Sequence, residues 1–185
     1  NTFVFENGAA FNGSIQGGVG GTNTLDYSAY YSNVLVNLAT DNYPNVGPSN
    51  IDLSGESATG VDSISNFQNV IGGHGNDILI GNPLHNELTG NAGQNILIGG
   101  TGSDTYVISG AWYDNSVVEI QDQGRDTLDF SAVTTDLVVT IDAHAGIVVA
   151  DSSHANIYQN FENVIGGSGD DRYILEEHWG LVRLQ

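Results

Sequence analysis

Gly72-Gly73-His74-Gly75-Asn76-Asp77-Ile78-Leu79-Ile80 decides the fold, because three blocks of the same length follow it without a break. They are Gly81-Asn82-Pro83-Leu84-His85-Asn86-Glu87-Leu88-Thr89, Gly90-Asn91-Ala92-Gly93-Gln94-Asn95-Ile96-Leu97-Ile98 and Gly99-Gly100-Thr101-Gly102-Ser103-Asp104-Thr105-Tyr106-Val107. Each block joins a six-residue Gly/Asn/Asp turn to a three-residue apolar or β-branched strand centred on Leu79, Leu88, Leu97 or Tyr106. A strand that short cannot bury its own side chain, so the central residue must enter a core shared with coils stacked above and below. Two blocks make one coil, and the architecture this requires is all-β, a parallel β-solenoid. A helical reading fails, since a glycine every few residues would cost about 1 kcal/mol each.

A longer period surrounds the short one. Asn1-Thr2-Phe3-Val4-Phe5 aligns with Asp104-Thr105-Tyr106-Val107-Ile108, and Asn23-Thr24-Leu25-Asp26-Tyr27-Ser28-Ala29 with Asp126-Thr127-Leu128-Asp129-Phe130-Ser131-Ala132, at one offset. Asn66 to Asp77 aligns with Asn160 to Asp171 at a shorter one. Residues 1–103 are therefore expected to form one long repeat and 104–185 a second, shorter one, within one continuous solenoid. The missing length is assigned to a loop over 43–57, carrying Pro44 and Pro48, that the second copy lacks. Val34–Leu38, Val117–Ile120 and Leu137–Ile141 read as further strands, and Glu176–Leu184 as helical or irregular.

Composition narrows the chemistry. The 185 residues contain no Cys and no Met, so thiol nucleophiles, disulfides and zinc fingers are excluded and any site is an oxygen site. Asp plus Glu number 22 against three Arg, for a formal charge of -19, which argues against nucleic acid and anionic membranes as partners and for cations. Gly (25) and Asn (20) are abundant but Pro is rare, unlike collagen or a linker. No apolar run approaches membrane-spanning length. The chain opens without Met or a signal-peptide pattern and reads as a piece of something larger. HExxH, GxSxG and GxxxxGK are all missing, and the five His are scattered, so the chain itself is not expected to be an enzyme.

In a G-G-x-G-x-D turn, glycines permit positive φ, carbonyl oxygens can converge, and the Asp adds a carboxylate. The blocks from Gly72 to Val107 and from Gly166 to Ile174 resemble the calcium-binding nonapeptide of the RTX, or hemolysin-type, repeat family. The Thr-Leu-Asp-Tyr/Phe-Ser and Asn-Phe-Gln/Glu-Asn-Val-Ile-Gly-Gly segments are similar to those that lead into such repeats. The resemblance implies a right-handed parallel β-roll with calcium held between same-side turns, eighteen residues apart, by carbonyls and the sixth-position side chain. Carried onto this sequence it pairs Asp77 with Asn95 and Asn86 with Asp104.

The metal candidates it supplies are Gly72, Gly73, His74, Gly75 and Asp77 in the first turn, and Asn86 in the second. Gly90, Asn91, Gly93 and Asn95 come from the third turn, Gly99, Thr101 and Asp104 from the fourth. Asp126 ends the weaker turn 121–126, and Gly166, Ser168 and Asp171 belong to the late turn. Asn86 and Asn95 read first as turn-stabilising amides whose backbone carbonyls can ligate.

The same resemblance implies a secreted or cell-surface protein, exported by type I secretion, in which calcium (Ca2+) outside the cell drives folding. Its partners would be calcium ions, the rest of the parent polypeptide, and cell-surface glycans or proteins. A structural or adhesin module is the expected role. The alternatives are a folding and secretion segment attached to a secreted enzyme, or a carbohydrate-binding solenoid.

Overall fold

The computed structural model describes residues 1–40, 55–121, 124–142, 146–176 and 183–184. Parallel pairing dominates. One sheet runs the length of the molecule in the order Thr2–Val4, Thr24–Asp26, Asn69–Ile71, Glu87–Thr89, Thr105–Val107, Thr127–Asp129, Asn163–Ile165 and Arg183–Leu184, every neighbour parallel and in register. Because alternate side chains of a strand point to opposite faces, the middle residue of each triplet turns inward. Leu25, Val70, Leu88, Tyr106, Leu128 and Val164 thus form one column, each 0% exposed.

A second sheet holds the other strand of each coil. Leu35–Asn37, Ile78–Ile80, Ile96–Ile98 and Ser116–Val118 are parallel neighbours and stack Val36, Leu79 and Leu97 in the core, with Val117 half-buried at the end. The nonapeptide blocks thus alternate between the two sheets, two blocks to a coil.

The roll is not parallel throughout. Leu35–Asn37 pairs antiparallel with Ser57–Ala58, and Val138–Asp142 forms an antiparallel meander with Gly146–Ala150 and Ala155–Tyr158. The last turn of that meander is an Asx turn in which Asp151 Oδ1 accepts the Ser153 and His154 amides at 2.6 and 2.8 Å. These excursions start from equivalent strands of the two long repeats. The length difference between the repeats therefore lies in a hairpin connection, long in one and short in the other. Of the expected 43–57 loop, 43–54 lie outside the described residues and Ser57 opens a strand. Of Glu176–Leu184, residues 177–182 lie outside them, and Arg183–Leu184 is a strand.

The contacts of the long repeat recur pair by pair. Phe3 meets Phe67 edge-on at 5.3 Å as Tyr106 meets Phe161 at 5.4 Å. Val34 N–H donates to Asp77 Oδ1 at 2.8 Å as Leu137 N–H donates to Asp171 Oδ1 at 2.9 Å. The Asn23 amide reaches Gln68 Oε1 as the Asp126 amide reaches Glu162 Oε2, both at 2.9 Å.

Candidate metal centre

The first turn explains why glycine is needed there. Gly72, Gly73 and Gly75 are not in the left-handed region, contrary to the expectation of positive φ. Gly73 and Gly75 let coils approach, and Gly72 makes room for the Asp77 carboxylate of its own turn. A Cβ on Gly72 would lie 2.5 Å from Asp77 Oδ2 and one on Gly75 2.6 Å from the Asn33 amide nitrogen, while one on Gly73 would strike the Tyr30 carbonyl oxygen. Gly167 and Gly169 meet Val133 and Asp136 in the same way in the late turn. Within the four tandem turns positive φ appears instead at Gly93 (+93°), Gly100 (+106°) and Gly102 (+124°) among the glycines.

The sixth-position side chains turn inward and form two ladders. In each rung a side-chain oxygen accepts the backbone N–H of the sixth-position residue one coil above. Asp77 N–H donates to Asn95 Oδ1 at 2.9 Å, and Asn95 N–H to Asn115 Oδ1 at 3.2 Å. On the other side Asn86 N–H donates to Asp104 Oδ1, and Asp104 N–H to Asp126 Oδ1, both at 2.8 Å. Asp77, Asn86, Asn95, Asp104 and Asp126 are all buried. Asp77 Oδ2 also accepts the Gly73 amide at 2.6 Å, yet burial still raises its carboxyl pKa above the usual carboxylate range.

The remaining candidates sit around these ladders. His74 is exposed, anchored by its amide on the Tyr30 carbonyl (2.7 Å), with its ring stacked on Tyr31 at 4.7 Å. A Cβ on Gly90 would lie 2.9 Å from Asn95 Nδ2. Asn91 has φ 56° and donates from Nδ2 to the Gly72 carbonyl at 2.7 Å. Thr101 is half-buried on its turn, and Gly99 abuts Asp104 and the Tyr106 hydroxyl, which accepts the Gly99 amide at 2.6 Å. Gly166 abuts Asp171 and Tyr173 in the same manner, and Ser168 is exposed with its amide on the Val133 carbonyl.

Three carboxylates converge at one place. Asp104, Glu119 and Asp126 are buried, and each offers an oxygen within 4.8 Å of the other two. The Tyr106 hydroxyl donates to Glu119 Oε2 at 2.5 Å, and the Ile120 amide to Oε1 at 2.6 Å. Burial, reinforced by the charges of Asp126 and Asp104, pushes the Glu119 carboxyl up to about 8 despite these donors. Tyr106 is raised as well, first by burial and then by Glu119. Like charges this close cannot all stay ionised without a cation, so the cluster holds either a proton or a metal. Carboxylate and hydroxyl oxygens are the donor set of a hard ion, and calcium fits them.

Glu119 was not among the sequence candidates. Its signal was an acidic residue inside the apolar run Val117-Val118-Glu119-Ile120, which reads simply as strand. Asp126 falls beside Asp104 because twenty-two residues, not eighteen, separate them. The extra length includes a 3-10 turn over Trp112–Asp114 with Trp112 buried.

The model of the family described as peptidase M10 serralysin C terminal matches residues 15–144. The chain belongs to that family. The serralysin C-terminal domain is an RTX-like, calcium-binding β-roll of secreted proteins and the non-catalytic part of a peptidase. None of the curated proteins matches the sequence. No helix among the described residues is long and apolar enough to cross a membrane.

Proposed function

We propose that this serralysin C-terminal-type domain is a non-catalytic folding module of a secreted protein, stabilised by calcium at Asp104, Glu119 and Asp126. The buried three-carboxylate cluster carries the reading. It is a costly arrangement without a counter-ion and a strong one with it. Calcium supplies the counter-charge. The Tyr106 hydroxyl and the Ile120 amide orient the Glu119 carboxylate, while the ladder bonds to Asn86 and Asp104 hold Asp104 and Asp126 in place. Coupling between ion and fold would leave the carboxylate-bearing part of the -19 chain weakly stable where calcium is scarce and consolidate it after export. The family match favours attachment to a secreted enzyme over a free-standing adhesin segment, for which surface glycans or proteins would be the partners.

Thermal melting in calcium and in chelator tests this. Calcium at a hundred times its dissociation constant should stabilise the wild type by about 2.7 kcal/mol, or roughly 5–11 °C. Glu119→Gln with Asp126→Asn should lose most of that gain while melting no lower than wild type in chelator. A melting temperature indifferent to calcium, or a double variant that responds like wild type, refutes the proposal.

A further inference from the structure

The second and third turns depart from G-G-x-G-x-D in the same way. Gly81-Asn82-Pro83-Leu84-His85-Asn86 and Gly90-Asn91-Ala92-Gly93-Gln94-Asn95 both read G-N-x-x-x-N, with Asn at positions two and six. The structure shows what those amides do. Asn91 Nδ2 donates to the Gly72 carbonyl of the coil above at 2.7 Å, and Asn82 Nδ2 to the Phe67 carbonyl of its own upper coil at 2.9 Å. The sixth-position residues follow suit. Asn86 Nδ2 donates to the Gln68 carbonyl at 2.7 Å, and Asn95 Nδ2 to the Ala92 carbonyl at 3.2 Å and to Asn115 Oδ1 at 2.9 Å. Their orientation is set by backbone donors, because Asn95 Oδ1 accepts the Asp77 amide across the ladder and Asn86 Oδ1 the Asn82 amide within its own turn. Nδ2 must then face the carbonyls.

We infer that G-N-x-x-x-N is an ion-free version of the calcium turn, in which two Asn amides supply the positive hydrogens that a cation would otherwise bring to converging carbonyl oxygens. A side-chain amide carries two N–H donors and no charge, so it satisfies carbonyls without needing counter-ions. The residues at these two turns therefore do not fit a metal, and Asn86, Gly90, Asn91, Gly93 and Asn95 hold the coils together without calcium. The stack from Gly81 to Ile98 folds at any calcium concentration, and ion dependence is confined to the carboxylate-bearing part of the roll. This does not depend on an ion binding at Asp104, Glu119 and Asp126.

Converting one turn back makes the inference testable. Asn91→Gly with Asn95→Asp turns the third block into G-G-A-G-Q-D facing Asp77, and the φ of 56° at residue 91 suits glycine. Hydrogen exchange of the full wild-type chain should show protection of residues 81–98 unchanged, within about twofold, between calcium and chelator. The double variant should lose that protection in chelator, regain it in calcium, and bind one more calcium ion than wild type by isothermal titration. Loss of wild-type protection at 81–98 on chelation refutes the inference, as does a variant with no additional ion, including one that stays unfolded in calcium. If calcium leaves the wild type unchanged everywhere, the carboxylate centre falls and the amide-closed turns stand.

Discussion

Chelated protein is expected to lose about 2–4 kcal/mol of stability as pH rises from 4.5 to about 8, after allowance for solvent screening of a group that is not fully enclosed. The cause is Glu119. Its carboxyl is raised from 4.5 to about 8 in the folded protein, mainly by burial and then by the negative charges beside it. The folded state therefore holds the proton more tightly than the unfolded chain does. Stability is complete below pH 4.5, falls through the window, and is lost in full above about 8. Asp77, raised in the same direction by desolvation, adds to the slope. Chemical denaturation in chelator across this range should show the fall in wild type and a much flatter profile in Glu119→Gln. Calcium should flatten the wild-type profile too, because the ion takes the proton's place.

Gly93→Ala should cost about 3–5 kcal/mol, with or without calcium. Two penalties combine there. Gly93 has φ +93°, where an L side chain is strained, and its Cβ would collide with the Gly75 carbonyl oxygen of the coil above. Backbone cannot retreat as a flexible side chain would, so the clash must shift one coil against the next. Gly8→Ala separates the two effects, since Gly8 has φ +73° but nothing within 4 Å of an added Cβ. It should cost only about 1 kcal/mol. Equal losses at the two sites would show that strain alone, and not coil spacing, governs the turns.

The nine-residue period made the core column legible, because three-residue strands leave only Leu79, Leu88, Leu97 and Tyr106 to face inward. It also made the rungs Asp77–Asn95 and Asn86–Asp104 legible, since a fixed coil length stacks residues eighteen apart. The rest depended on places where the period breaks. The buried 3-10 turn at Trp112–Asp114 lengthens the coil before Asp126, so spacing alone could not set Asp126 beside Asp104. Glu119 lay hidden in a strand whose apolar neighbours set its reading. The antiparallel meander over Val138–Tyr158 departs from the solenoid because its strands run to five residues and alternate in burial, enough to pair with each other. Positive φ, the role expected of the turn glycines, holds at Gly93, Gly100 and Gly102, whereas Gly73 and Gly75 are required by contact with the neighbouring coil's backbone, which a single turn's sequence does not display.

Calcium titration at pH 7 in buffers of different ionisation enthalpy tests the carboxylate centre most directly. Glu119, raised to about 8, is mostly protonated at that pH without an ion and must ionise to bind one. Wild type should release close to one proton per calcium bound at this centre, and Glu119→Gln close to none. Calcium binding with no proton release in wild type, or with the same release in Glu119→Gln, would place the ion elsewhere in the roll.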